Sequence, residues 1–412
     1  MNANDVKKNL KLDHKVSIEA ATERLTDIIK PTPLIQSGFY SNEYGCEIWL
    51  KPENLQTTGS FKIRGAYNKI ASLSDKELKK GIVSASAGNH AQGVAFSAAR
   101  RKAPATIVMP QITPLLKVEA TKAYGAKVLL HGDAYDESFA KAIELADKKG
   151  LSFIHPFDDY DVICGQGTLA PEILADLPDA DEIICPIGGG GLIAGLLLWV
   201  KAVRPKTKII GVIPEGSPAI KASLEKGKVQ RESAIYTCAE GVAVKQPGDL
   251  TFAIIQKYLD ELITVSEKDI MENILLMMEK HKLVTEAAGV VSLAGAAKRA
   301  RADRKLVCII SGGNIDTVTV SSVVNQGMIS RGRIMCFSVD LPDKPGQLVA
   351  VASLLAREGA NVIELDHDQF KVLDRYSNRV ALEVTVETNG HAHIERVLDA
   401  LKAENFRVKR IY

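Results

Sequence analysis

Four consecutive glycines, Gly188 to Gly191, stand between an apolar run ending at Cys185-Pro186-Ile187 and a second apolar run opening at Leu192. Four glycines in a row are costly in chain entropy, so the turn they form must need backbone that nothing obstructs. The flanks predict a strand over 181–186 and a helix over 192–203. Bare N–H groups at a helix N-terminus make an anion cradle. The spacing is not the Gly-x-Gly-x-x-Gly of a dinucleotide fold. No Gly-Lys-Ser/Thr follows, as a nucleotide P-loop requires, and Lys201 lies too far along the helix to serve. Amides alone, with no ligands for Mg²⁺, suit a single monophosphate. The plain alternative is tight packing of strand against helix.

The same strand–turn–helix pattern repeats. Strands are expected at 46–50, 81–84, 105–109, 127–130, 152–154, 208–213 and 306–310. Helices are expected at 17–29, 89–101, 115–124 and 133–149. Alternation with near-continuous apolar strands predicts an α/β fold with doubly wound parallel sheet. The pattern changes near Val320. A basic joint ends at Arg333, and from Ile334 the order becomes β-α-β-β-α-β, the ferredoxin-like arrangement. The expected division is therefore a polar tail over 1–15, a catalytic domain over 16–320, a linker over 321–333 and a small domain over 334–412. The tail is read as frayed. His391 and His393 are read as a solvated turn.

The 412 residues carry a net charge of only +2, which suggests neither nucleic acid nor an anionic membrane as partner. No apolar run is long enough to span a bilayer. Six scattered cysteines form neither a zinc pattern nor a disulfide framework, and a reducing cytoplasm is expected.

Three further segments carry chemistry. The first is Lys51 to Ala66, with Ser60 as expected N-cap and Phe61 and Lys62 as the first helical residues. Burial and the positive helix terminus both press a lysine pKa down there, which makes a better amine nucleophile. The plain alternative is a surface lysine. The second is Ser84 to Gly93, where Ser86, Ala87, Gly88 and Asn89 open a helix and could hold a carboxylate. His90 is either a base or a packed histidine. The third is Ser311-Gly312-Gly313-Asn314, at the end of a strand, where ligands of open sheets gather. An amine, a monophosphate cradle, a carboxylate pocket and a hydroxyl for a ring nitrogen together suit a pyridoxal phosphate enzyme acting on an amino acid.

Over residues 15 to 320 the chain resembles the serine/threonine dehydratases among the fold-type II pyridoxal phosphate enzymes. The resemblance rests on Ser60-Phe61-Lys62-Ile63-Arg64-Gly65-Ala66, Ser86 to Gly93, Gly188 to Leu192, Glu240 to Val244 and Ser311 to Asn314. It implies two open, mostly parallel sheets, with a smaller subdomain of about 52–156 inserted in a larger one. It implies that Lys62 forms the Schiff base with the cofactor and that Phe61 packs on the ring. Asn89 would meet the 3′-oxygen, Gly188, Gly189, Gly190, Gly191 and Leu192 the phosphate, and Ser311 the ring nitrogen. Gly241 would lie beside the cofactor, and Ser86 to Asn89 would grip the substrate carboxylate. The implied reaction is loss of water from L-threonine to give 2-oxobutanoate and ammonia, with L-serine as a second substrate.

Racemases of the family carry a serine where this chain has Ala87, which argues against racemisation. A glutamate that binds a divalent metal in several relatives aligns with Ile213, so no acidic metal site is expected. Residues Leu341 to Leu348 and Gly359 to Val362 resemble an ACT domain. That resemblance implies pairing between subunits of a homo-oligomer, a dimer or tetramer. It also implies an effector, isoleucine first, held by Pro345, Gly346, Gln347, Leu348 and Asn361. The alternatives are a serine- or 3-hydroxyaspartate-preferring dehydratase, a serine racemase, and an amino-acid-sensing protein without activity.

Overall fold

The computed structural model describes residues 3–368 and 379–412. The chain divides into two units, Met1–Asp316 and Thr317–Tyr412. The strands of the first are β1 (Ile35–Gln36), β2 (Glu47–Pro52), β3 (Ile82–Ala85), β4 (Ala105–Met109), β5 (Lys127–Leu130), β6 (Ser152–Phe153), β7 (Glu182–Pro186), β8 (Lys208–Pro214), β9 (Glu261–Val265) and β10 (Lys305–Ile310). They form two sheets. The larger has the order β1-β2-β10-β7-β8-β9 and is parallel except where β1 meets β2. The smaller has the order β5-β4-β3-β6 and is parallel throughout. All of the smaller sheet lies between β2 and β7 in sequence.

Parallel strands covered on both faces read as continuous apolar runs, and β7 is buried at every residue. The helix Gly191–Val203 is buried from Gly191 through Val200. A helix apolar all round belongs inside a core, and this one supplies Ile193, Leu196, Leu197 and Val200 to the core of the larger sheet. The α/β expectation holds.

The amino-terminal stretch differs from the frayed tail expected of it. Ala3–Asn9 is a helix, and Val6 and Leu10 pack on the core of the larger sheet. Two apolar side chains four apart suffice for a docking face, and the surrounding polar residues hid them. Asp13 then caps the helix His14–Leu25 by accepting from the Val16 N–H.

In the second unit the segment expected as linker is largely helical, running Thr317–Ser330. β11 (Ile334–Pro342), β12 (Asn361–Asp368), β13 (Arg379–Glu387) and β14 (Arg407–Arg410) form an antiparallel sheet of order β12-β13-β11-β14. The helices Gln347–Glu358 and His391–Ala403 supply Val351, Leu354, Ile394 and Val397 to its core, against Phe337, Val339, Leu382 and Val384. His393 corrects the expected solvated turn. It is buried, accepts from the Asn389 N–H through Nδ1 and meets the Glu358 carbonyl through Nε2 at 2.8 Å. His391 is exposed.

Candidate active site

Lys62 is the first residue of the helix Lys62–Ala71. Ser60 is not its cap: Phe61 takes that position without a side-chain hydrogen bond. Ser60 is instead tied down by its backbone, in a bridge to Gly312, and its buried hydroxyl has no partner. Neighbouring bonds extend the link. Gly313 N–H donates to the Gly59 carbonyl at 2.9 Å and Phe61 N–H to the Ser311 carbonyl at 3.1 Å. The loop that starts the lysine helix is thereby fastened to the loop after β10.

The Lys62 amine donates to the Pro156 carbonyl at 2.9 Å and lies 5.3 Å from the Phe61 ring centre. Burial lowers its pKa to about 8, with Glu286 partly opposing. The helix behind it is held by Arg64, which is fully buried. Arg64 takes Glu53 through Nε and Nη2 at 2.7 and 2.8 Å and Glu172 through Nη1 and Nη2 at 2.6 and 3.0 Å. Lys51 adds a contact to Glu172 at 2.7 Å.

The loop after β3 comes next. Ser86, Ala87, Gly88 and Asn89 are half-buried. A Cβ built on Gly88 meets nothing within 4 Å, so there is room above this turn. Ser86 Oγ accepts from the Gly88 N–H at 3.2 Å. Asn89 Nδ2 donates to Glu286 Oε1 at 2.6 Å, and Asn89 Oδ1 accepts from Asn314 Nδ2 at 2.7 Å. Asn314 in turn donates to the Thr58 carbonyl at 2.8 Å. His90, a candidate base on sequence grounds, is buried with Nε2 at 3.2 Å from the Ile154 carbonyl. Burial and the nearby Lys62 hold it down to about 3. It stays neutral near pH 7 and is too weak a base to take a proton there.

In the glycine loop, Gly190 has φ +92° and leads into the helix Gly191–Val203. Such a helix leaves its first N–H groups without intrahelical partners. The Gly189 carbonyl accepts from Thr251 Oγ1 at 2.7 Å. The packing alternative holds, since a Cβ on Gly189 would lie 2.3 Å from the Phe157 ring and one on Gly188 2.8 Å from Val242 Cα. Gly189→Ala is therefore expected to displace Phe157 and cost about 1–3 kcal/mol. An unchanged melting temperature in that variant would contradict the crowding.

Ser311 Oγ donates to the Ala288 carbonyl at 3.1 Å, so its hydroxyl must turn to serve a ring nitrogen. Gly241 lies in the turn Glu240–Val242, and a Cβ there would sit 2.9 Å from Ala288 Cβ. The loops of Lys62, Asn89 and Ser311 thus share hydrogen bonds, and Gly241 packs beside them. The glycine loop is joined through Phe157, next in sequence to Pro156.

Sequence reasoning missed Glu286, the roles of Asn314 and Pro156, and Asp158. Asp158 Oδ1 accepts from the N–H groups of Leu250 and Thr251 at 3.0 and 3.1 Å, fixing the helix whose Thr251 holds Gly189. Glu286 is half-buried, and the loss of water around it pushes its carboxyl up to about 7. The signal available for it was an acid placed immediately before an apolar helix.

The candidate effector residues lie in the second unit. Pro345, Gly346, Gln347 and Leu348 line a pocket of about 310 Å³ with Leu341, Lys344 and His367. Asn361 opens β12 opposite Glu387 and is not part of that lining. Among the described residues no group of three or more His, Cys, Asp or Glu is arranged to hold a metal ion. No helix there is long and apolar enough to cross a membrane.

A family model described as pyridoxal-phosphate dependent enzyme matches residues 25–312. The L-threonine ammonia-lyase of Thermotoga maritima is 42% identical over 393 residues, covering 95% of this chain and 98% of that protein. The solved structure of the processed form of threonine deaminase isoform 2 from Solanum lycopersicum superposes with a TM-score of 0.73. It is 39% identical and covers 79% of this chain and 94% of its own. Maize serine racemase superposes with a TM-score of 0.72 at 32% identity, covering 77% and 98%.

Proposed function

Because the chain belongs to the family of pyridoxal-phosphate dependent enzymes, we propose that its loops around Lys62 are the active site of an L-threonine ammonia-lyase. The enzyme converts L-threonine to 2-oxobutanoate and ammonia. The observation that carries the site assignment is the Lys62 amine, half-buried, bonded to the Pro156 carbonyl and held near pKa 8 where these loops meet.

The residues present fit pyridoxal phosphate. Thr58 Oγ1, Ser60 Oγ and His90 Nδ1 are buried polar atoms without partners, and Gly88 faces open space. Phe61, Asn89, Gly188 to Leu192, Gly241 and Ser311 would hold the cofactor. When bound, it supplies an electron sink for the pair left at the substrate α-carbon. Lys62 Nζ receives the α-proton, for which an amine near pKa 8 is well matched. The amides and Ser86 hydroxyl of the loop from Ser86 to Asn89 orient the carboxylate. Ala87 has no proton to deliver to the opposite face, which favours elimination over racemisation. L-Serine fits the same groups as a second substrate.

We further propose that the second unit binds an amino-acid effector, isoleucine first, at the pocket of Pro345 to Leu348. In this reading the chain acts as a homo-oligomer. The six cysteines are free, which suits the cytoplasm. The test is a 2-oxoacid assay with threonine and serine, with and without isoleucine, on the full chain and on one ending near Ser330. Threonine turnover is expected in both, with the isoleucine response only in the full chain. A response that survives truncation would refute the regulatory role, and absence of turnover in the full chain would refute the activity.

A further inference from the structure

One half-buried acid in the site has no task in that reaction. Glu286 stands immediately before the helix Ala287–Ala296, with its N–H donating to the Gly312 carbonyl at 3.1 Å. Its Oε1 accepts from Asn89 Nδ2 at 2.6 Å. A Cβ built on Gly312 would lie 2.3 Å from that oxygen and one on Gly241 3.7 Å away. The carboxyl is therefore packed among Asn89, Gly241 and Gly312, inside the set of residues assigned to the cofactor.

Among the described residues no cation neutralises it by contact. The charged groups facing it are Lys62 at the start of the helix Lys62–Ala71, Lys117 of the helix Leu115–Ala123 and Glu240 of the turn Glu240–Val242. The Lys62 amine is directed to the Pro156 carbonyl, and Lys117 pairs with Glu240 at 2.7 Å. A carboxylate that has lost much of its water and has no paired cation is shifted toward the neutral acid.

We propose that Glu286 is a positioning residue that acts as a neutral carboxylic acid, orienting the Asn89 amide and keeping negative charge off the side of the site where the cofactor's 3′-oxygen is held. This rests on the pyridoxal phosphate reading above. An amide carries two N–H hydrogens and one oxygen. Asn89 gives one hydrogen to Glu286, and its oxygen is taken by Asn314. The remaining N–H is free to donate to an anionic oxygen. A carboxylate at Glu286 would set a second anion beside that oxygen, and like charges disfavour ionisation further.

Two consequences follow for pH. Burial already holds the acid near 7, against its ordinary 4.5. The folded chain therefore keeps a proton that the unfolded chain releases near 4.5. Stability falls as pH rises through that window, and the deficit is complete above about 7. Cofactor affinity falls only above about 7, where the acid of the folded, cofactor-free chain ionises, because binding favours the protonated acid.

The experiment compares wild type, Glu286→Gln and Glu286→Leu. Melting of the cofactor-free protein is followed from about pH 5 to about pH 8.5, and pyridoxal phosphate is titrated by fluorescence at both ends. Wild type is expected to lose melting temperature relative to Glu286→Gln as pH rises from about 5 to about 7, and to run parallel to it above. The ratio of its Kd at high pH to that at low pH is expected to exceed the Gln ratio by about tenfold. Glu286→Leu, neutral but unable to hold Asn89, shows the flat pH response with weaker binding at both ends, and it carries the comparison if the Gln variant does not fold. Parallel melting profiles, or equal Kd ratios, overturn the proposal. A wild-type chain that neither binds the cofactor nor deaminates threonine overturns the underlying reading instead; the melting comparison does not depend on it.

Discussion

Lys62→Ala is expected to lower kcat for threonine deamination by about 10³-fold or more, since it removes both the amine that anchors the cofactor and the group that takes the α-proton. The same substitution tests how the amine is held. In the folded chain burial lowers Lys62 to about 8, from an ordinary 10.5. The unfolded chain keeps its proton up to about 10.5, so the folded state is penalised at all pH below about 8. The penalty fades between those values. It is on the order of 3 kcal/mol at neutral pH. Lys62→Met keeps most of the methylene packing and cannot ionise. It is expected to be as inactive as the alanine variant yet to melt higher than wild type at pH 7, with the advantage shrinking above pH 8. Retained turnover in Lys62→Ala would sink the mechanism. A lower melting temperature for Lys62→Met at pH 7 would show that the amine is not penalised by burial.

Arg64→Met carries the largest expected loss of stability. Arg64 and Glu53 are both fully buried, and Arg64 holds two carboxylates by paired hydrogen bonds. Removing it strands Glu53 without its principal cation, at a cost of about 3–5 kcal/mol. Arg64→Lys does little better, because an ammonium cannot match the two forks. In the folded chain the arginine outweighs burial and holds the Glu53 carboxyl below its ordinary range. Without it, burial pushes that carboxyl up, so the loss is expected to be smaller near pH 5 than near pH 7. Urea midpoints at the two pH values read this directly. Adding Glu53→Gln to Arg64→Met is expected to restore part of the loss, because the stranded charge is then gone. A double variant no more stable than the single one would count against this account.

The parts of the fold legible in sequence are those whose signals are local. β4 falls at Ala105–Met109, as expected, and the helix Gln347–Glu358 takes its place as the first helix of the expected β-α-β-β-α-β order, each marked by an apolar pattern and a stop residue. The strands and helices between β8 and β10 were not legible. The helix Ala287–Ala296 is buried at all ten positions, so it has no polar face and no amphipathic period to detect. Ser60 obeyed the local rule for an N-cap, and a tertiary bridge to Gly312 overrode it. Glu286 was missed for a different reason. Its meaning comes from meeting Asn89, and nothing near either residue announces the other. Lys62 and the glycine loop were legible because each carries a local oddity, an amine at a helix start and a run without side chains.

The order of strands in the larger sheet has a consequence for the chain as it is being made. β2 leads into the lysine loop, and its partner on the inner side is β10, with Leu50 beside Cys308. Nearly the whole of the first unit is synthesised between the two. The smaller sheet can close early, since its strands follow one another. β2 must wait, with its inner edge unpaired, until β10 has left the ribosome. The bonds from Thr58, Gly59 and Ser60 to Asn314, Gly313 and Gly312 form only after that. Contacts so distant in sequence are slow to form and leave strand edges exposed in the meantime. A nascent chain stalled anywhere before Lys305 therefore carries its nucleophile on a loop with nothing to fasten it, and the site is assembled among the last events of folding.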